Sequence, residues 1–125
     1  MTINRTYPTL PVVDLKRAEK FYDEKLGFKV VQEDPSPGAT LKSGDCECYL
    51  YLYQRAPTKA DHTVVDLNVD NVECTMRELR GKGVKFEEYD LPNIKTVEGL
   101  FKMDGYSSAW FKDTEGNILA ISNMS

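Results

Sequence analysis

Histidine is nearly missing from this chain: there is one, His62, in 125 residues. A metal clamp or proton relay that needs two imidazoles therefore cannot be built from a single copy. Basic residues are not in excess either. Sixteen Lys and Arg against twenty Asp and Glu leave a formal charge of −4. With no cationic surplus to neutralise phosphates, nucleic acid is not an expected partner. Long apolar runs are absent, and Met1-Thr2-Ile3-Asn4-Arg5 is too polar for a leader, so neither a membrane span nor a secretory signal is expected. The three cysteines, Cys46, Cys48 and Cys74, do not suggest a disulfide framework, and a spacing of two is not Cys-x-x-Cys. They are expected to be ordinary free thiols of a cytoplasmic protein. No Gly-x-Ser-x-Gly is present, and Gly81-Lys82-Gly83 leads into a strand, which excludes a phosphate loop and a dinucleotide fingerprint.

What remains is a length suited to one domain, too short for separate catalytic and cofactor domains. Its pattern repeats. In the first half, Tyr7–Val13 favours β structure but carries Pro8 and Pro11, so the strand is expected at a sheet edge or irregular. Asp14 is a helix N-cap, and Leu15, Ala18, Phe21, Tyr22 and Leu26 form one apolar stripe that Gly27 closes. Strands follow at Phe28–Glu33, Thr40–Lys42 and Cys46–Gln54, with turns at Pro35–Gly38 and Ser43-Gly44-Asp45. In the second half the strand Val64–Val69 leads to the cap Asn71 and the stripe Val72, Met76 and Leu79, ended by Gly81 and Gly83. Strands are expected at Val84–Tyr89, Ser107–Lys112 and Asn117–Ser122. Asp90–Tyr106 is long for a loop and apolar enough to cover a cavity; its Thr96–Met103 portion also reads as a strand with Gly99 at a bulge. The order of cap, stripe, glycine and strand recurs as a set, which points to a duplicated β-α-β-β-β unit. The expected modules are about 1–56 and 62–125 of one domain, joined by a linker at 57–61.

Leu10-Pro11-Val12-Val13-Asp14-Leu15-Lys16-Arg17-Ala18-Glu19-Lys20-Phe21-Tyr22, followed by Leu26-Gly27-Phe28, resembles the opening of the vicinal-oxygen-chelate superfamily of glyoxalases, bleomycin-resistance proteins and extradiol dioxygenases. Trp110-Phe111-Lys112-Asp113-Thr114-Glu115-Gly116-Asn117-Ile118-Leu119 resembles its closing motif, with Thr114 and Glu115 where Pro and Asp are usual. Asp66-Leu67-Asn68-Val69-Asp70-Asn71-Val72 is similar to the start of its second module. The resemblance implies an α+β fold in which two βαβββ modules form a curved mixed sheet around a cavity, and a homodimer. It also implies a divalent metal in many members, held by two His and two Glu on the cavity strands to polarise vicinal substrate oxygens. The corresponding positions here are Tyr7, Tyr51, Val64 and Ala120. Val64 and Ala120 offer no lone pair, so no metal and no cofactor is expected. His62 sits two residues before Val64 on the same strand; a rebuilt set of His62, Asp66 and Glu47 is the alternative, and a histidine at a strand start or cavity mouth is the plainer reading.

The strand Tyr49-Leu50-Tyr51-Leu52-Tyr53 places three tyrosines on one face by its two-residue period. If Tyr51 faces the cavity, so do Tyr49 and Tyr53, and Tyr7 joins them. Such a face either holds a flat aromatic ligand or fills itself as a cross-strand ladder. Trp110 is a further candidate, its facing not fixed by the pattern. The expected function is metal-free binding of a small aromatic molecule by Tyr7, Tyr49, Tyr51, Tyr53, His62, Val64, Trp110 and Ala120. The alternative is a lyase, isomerase or dioxygenase with a rebuilt metal set that includes His62.

Overall fold

The computed structural model describes residues 1–44 and 46–124, so the Asp45 end of one expected turn lies outside the described residues. The chain divides into two compact units, Met1–Ala60 with Asp113–Asn117, and Asp61–Lys112 with Ile118–Ser125. Each holds one helix and a four-stranded mixed sheet. Among the described residues no helix is long and apolar enough to cross a membrane.

In the first unit, β1 (Thr9–Val12), α1 (Leu15–Leu26), β2 (Phe28–Asp34), β3 (Gly38–Ser43) and β4 (Tyr49–Gln54) follow in order. The sheet runs β1-β4-β3-β2, with β1 parallel to β4 and the other pairs antiparallel. The proline-bearing β1 is an edge strand, as its missing donors require. Asp14 caps α1 by accepting from the Arg17 amide at 3.1 Å, and Gly27 closes it in the left-handed conformation at φ 75°. The helix stripe buries Leu15, Ala18, Phe21 and Tyr22, and the sheet contributes Leu10, Val12, Ala39, Leu41, Leu50 and Leu52 to the core. Together these bury enough apolar surface to hold the helix, which propensity alone would not.

The second unit repeats the plan with β5 (Thr63–Asn68), α2 (Val72–Gly81), β6 (Phe101–Met103), β7 (Tyr106–Lys112) and β8 (Ile118–Met124), in the order β5-β8-β7-β6 and with β5 parallel to β8. Asn71 caps α2 through the Cys74 amide at 2.8 Å. Val72, Met76 and Leu79 of the helix are buried, as are Ala109, Phe111, Leu119 and Ile121 of the sheet. The α+β class, with one such module in each half, is the expected one.

Three local readings are corrected. Val84–Tyr89 is not a regular strand; it touches the sheet through one antiparallel bridge, Phe86 to Phe111. Gly99 is not at a bulge. It sits with Glu98 in a tight reversal between Val97 and Leu100, both at positive φ, 51° and 83°. The segment before β6 thus folds into small hairpins, held by Glu88, which accepts from Thr96 Oγ1 at 2.8 Å and from the Gly99 amide. Finally, Cys46 and Cys48 form a disulfide. They lie in the bend before β4 rather than along it, and that bend brings their Cα atoms to 5.1 Å, nearer than two residues along a strand allow.

The turn Asp113–Asn117 is packed into the first unit. The Tyr22 hydroxyl donates to Asp113 Oδ2 at 2.6 Å, with both residues buried. Asp113 Oδ1 also accepts from the Glu115 and Asn117 amides, and Asn117 Nδ2 donates to the Pro11 carbonyl at 2.8 Å. Glu115 Oε1 accepts from the Val13 and Asp14 amides, each at 2.9 Å, and Arg17 grips both carboxylate oxygens at 2.8 and 3.0 Å. Burial pushes the Tyr22 hydroxyl well above the usual tyrosine value, and the Asp113 charge adds to the rise. Burial also acts to raise Glu115, but hydrogen bonds from Arg17, Thr114 and the two backbone amides outweigh it and hold the carboxyl at about 2.

Two outcomes follow from this network. Tyr22→Phe leaves a buried carboxylate one donor short and should cost about 1.5–3 kcal/mol, read as a lower urea midpoint with unchanged slope. Glu115 has its pKa depressed in the folded state, so its stabilisation is complete above the ordinary 4.5 and is lost as pH falls towards 2. With allowance for the half-exposed Arg17, Glu115→Gln should cost on the order of 2 kcal/mol at pH 7. The gap between variant and parent should close between pH 4.5 and about 2; a gap independent of pH would show that the charge is not what matters.

Candidate functional site

Each unit has a helix-covered sheet face and an opposite face that carries aromatic side chains. In the first unit the alternation of β4 is as expected. Leu50 and Leu52 are buried with the core, and Tyr49, Tyr51 and Tyr53 are half-buried on the other face. Tyr7, which is 42% exposed, meets Tyr49 edge to face at 5.7 Å between ring centres. The Arg5 guanidinium lies 4.3 Å from the centre of the Tyr49 ring, with the Lys42 ammonium at 6.0 Å. Glu47 accepts from the Tyr49 hydroxyl at 3.2 Å and from Arg5 at 3.4 Å.

Tyr51, at a position where the resemblance implies a metal ligand, spends its hydroxyl elsewhere. It donates to Asp34 Oδ2 at 2.9 Å, at the end of β2, and Asp34 Oδ1 accepts from the Ser36 amide at 3.1 Å. Hydrogen bonds from the Ser36 hydroxyl, Tyr51 and the Ser36 amide hold the Asp34 carboxyl below the usual aspartate range. Gly38, paired with Tyr53, makes room for this: a Cβ there would sit 2.2 Å from the Tyr51 hydroxyl oxygen and 3.1 Å from the Leu52 carbonyl.

In the second unit the register sets out the aromatic face row by row. Asp66 on β5 pairs with Ala120 on β8, and Ala120 pairs with Trp110 on β7. The next row runs Asn68, Ser122, Ser108, Phe101. Cross-strand partners share a face, so Trp110 stands beside Ala120, away from α2. Its ring is held from two directions, by Tyr89 at 5.4 Å and Phe101 at 6.2 Å, and Tyr106 meets Phe101 at 6.4 Å. Burial, with a smaller push from Glu87, raises the Tyr89 hydroxyl. The Ser122 hydroxyl lies within hydrogen-bond distance of both Asp66 oxygens, at 2.8 and 2.9 Å.

Tyr89, Phe101 and Tyr106 were not among the sequence candidates. The two-residue Asp104-Gly105 reversal, with Gly105 at φ 73°, is the signal that places Phe101 and Tyr106 on facing strands; Tyr89 has no such signal, because its segment is irregular. Val64 lies where the register of β5 shifts: Thr63 pairs with Ile118 and Val65 with Leu119. This bulge breaks the alternation, so Thr63 rather than Val64 pairs with Ile118, two residues before Ala120 on β8. His62 is exposed ahead of β5. Of the alternative metal set, Asp66 is engaged by Ser122 and Glu47 by Tyr49 and Arg5. Among the described residues no three His, Cys, Asp or Glu side chains form a group that would hold a metal ion. Gly38→Ala should displace Tyr51 from Asp34 and lower stability by about 1–2 kcal/mol; Gly38→Ala combined with Tyr51→Phe should recover part of that loss in denaturant titrations, because the clash is with the hydroxyl end.

A model of the Glyoxalase/Bleomycin resistance protein/Dioxygenase superfamily matches residues 3–121. Among solved structures, the chain is similar to UcmS2, at 26% identity and a TM-score of 0.76, with 98% of each chain covered. It is similar to TnmS3, an antibiotic binding protein from Streptomyces sp. CB03234, at 20% identity and a TM-score of 0.67, with both chains fully covered. The genomically encoded fosfomycin resistance protein FosX from Listeria monocytogenes, solved as its E126Q mutant with Mn(II) and a dihydroxypropylphosphonic acid, matches at 13% identity and a TM-score of 0.69, covering 97% of this chain and 90% of that one. No curated protein sequence matches significantly. With the family model spanning nearly the whole length and the two βαβββ units in place, the chain belongs to the Glyoxalase/Bleomycin resistance protein/Dioxygenase superfamily.

Proposed function

We propose that this protein binds a small aromatic molecule without a metal, on the aromatic sheet faces of its two units. The carrying observation is that each unit presents half-buried aromatic rings opposite its helix: Tyr49, Tyr51 and Tyr53 in the first, Trp110 with Phe101 and Tyr106 in the second. Rings held edge to face offer flat apolar surface at little entropic cost, which suits stacking on a planar ligand. The metal-free part is supported by the donor chemistry. Val64 and Ala120 have no lone pairs, and Tyr51 already donates to Asp34. The donor set present does not suit the family's metal, so no step through a metal is assigned. Similarity to TnmS3, described as antibiotic binding, agrees with sequestration rather than turnover. A homodimer, as the family resemblance implies, goes with this reading, as does a cytoplasmic location, which the sequence suggested through its cysteine use.

Trp110 is the single tryptophan, so its fluorescence reports on the second unit's face. Titration with a panel of planar aromatic antibiotics should quench it saturably for at least one member, and Trp110→Ala should weaken that member at least tenfold when followed by calorimetry. Loss of about 1–3 kcal/mol is the scale expected for one stacked aromatic contact. Stoichiometric Fe, Mn, Ni or Zn in protein purified without chelator, lost on His62→Ala, would instead establish the metal-dependent alternative.

A further inference from the structure

The aromatic face of the second unit carries a carboxylate, Asp66, in a defined place, while Glu87 beside Tyr89 is paired with Lys112. Asp66, Ala120 and Trp110 occupy a single row across β5, β8 and β7. Adjacent strands lie about 4.8 Å apart, so the backbones that carry the carboxylate and the indole are separated by roughly 10 Å. Between them Ala120 contributes one methyl and is only 4% exposed. The row thus has an indole at one end, a carboxylate at the other and a small, covered side chain between them.

Both ends are positioned. Tyr89 meets the indole edge to face and Phe101 meets it at a tilt. The Ser122 hydroxyl, nearly covered itself, fixes the Asp66 carboxylate. One hydroxyl proton satisfies only part of a carboxylate, which has about four acceptor sites. No Lys, Arg or His among the described residues lies within ion-pair distance of Asp66, in contrast to Glu47, Glu73, Glu87 and Glu115. Asp66 is exposed and free to accept from a ligand. The overall charge of −4 favours the approach of a cation as well.

Resting on the aromatic-binding reading, we infer that the second unit selects aromatic ligands that carry a protonated amine, with Trp110 stacking on the ring system and Asp66 pairing with the ammonium group. Ala120, on the strand between them, sets the spacing of roughly 10 Å between the two backbones that the ligand must bridge. A charge-assisted hydrogen bond to a carboxylate is about twice as strong as a neutral one, so amines are favoured over alcohols of the same shape, and carboxylates are repelled.

The test uses 2-(2-naphthyl)ethylamine, 2-(2-naphthyl)ethanol and 2-naphthylacetate, which share a ring system and differ in the terminal group. The single Trp110 indole N–H gives one cross-peak in an amide correlation spectrum of ¹⁵N-labelled protein, and its displacement gives Kd. The amine is expected to bind at least tenfold more tightly than the alcohol, with the carboxylate weakest. Asp66→Asn keeps an acceptor for Ser122, and the same spectrum reports whether it is folded; the variant should bind amine and alcohol equally. Equal affinity for amine and alcohol in the parent protein, or an amine preference that survives Asp66→Asn, overturns the inference while leaving aromatic binding intact. Failure of all three probes to move the cross-peak rejects both.

Discussion

The turn Asp113–Asn117 is the constraint on which the first unit depends. It lies about a hundred residues along the chain from its partners, yet it supplies a buried acceptor for Tyr22, a donor for the Pro11 carbonyl and a carboxylate for the Val13 and Asp14 amides. Those amides belong to the passage from β1 into α1, where backbone donors have no partner within the helix or sheet. Without Glu115 the entry to α1 would rely on Asp14 capping and on Gln54, whose Oε1 accepts from the Leu15 amide at 2.9 Å. Buried carboxylates are costly unless fully satisfied, and here each carboxylate meets several donors, so the network stabilises the fold and also fixes one chain path.

The same logic of satisfied polar groups bears on the open sheet faces. In the first unit, the hydroxyls of Tyr49 and Tyr51 are engaged by Glu47 and Asp34, which leaves ring surface rather than hydroxyl as the available feature. In the second, Ser122 engages Asp66 and Ser108 donates to the Ile121 carbonyl. The rings are restrained by one another, and ring surface plus one exposed carboxylate is what remains for recognition. This is a chemistry of stacking and charge pairing. It differs from the donor set that a Lewis-acid metal requires, and it is the physical basis for reading the protein as a binder.

Much of the fold was legible because its signals are local. The caps Asp14 and Asn71, the helix stripes, Gly27 and the alternation through β4 depend on residues three or four positions apart at most. The site was legible in part. Tyr49, Tyr51 and Tyr53 share a face as the period demanded. The facing of Trp110, left open by its strand alone, became definite only through its pairing with Ala120. Tyr89 was not legible, since an irregular segment has no period from which a face can be read.

The sequence by itself determined the repeated βαβββ plan, the edge position of the proline-bearing strand and the side of β4 that carries the tyrosines. These follow from backbone periodicity and from residues that cannot adopt other conformations. Only the tertiary structure decided the bulge at Val64 that shifts the register at the start of β5, the disulfide across the bend before β4, the hairpins that replace a strand after α2, and the partners of Tyr51 and Glu115. Each of these is set by what a distant segment places alongside, as when the Asp34 turn reaches Tyr51 or the Asp113–Asn117 turn reaches α1. Pairing between distant segments is chosen by burial and hydrogen-bond satisfaction across the whole unit, which no local pattern encodes.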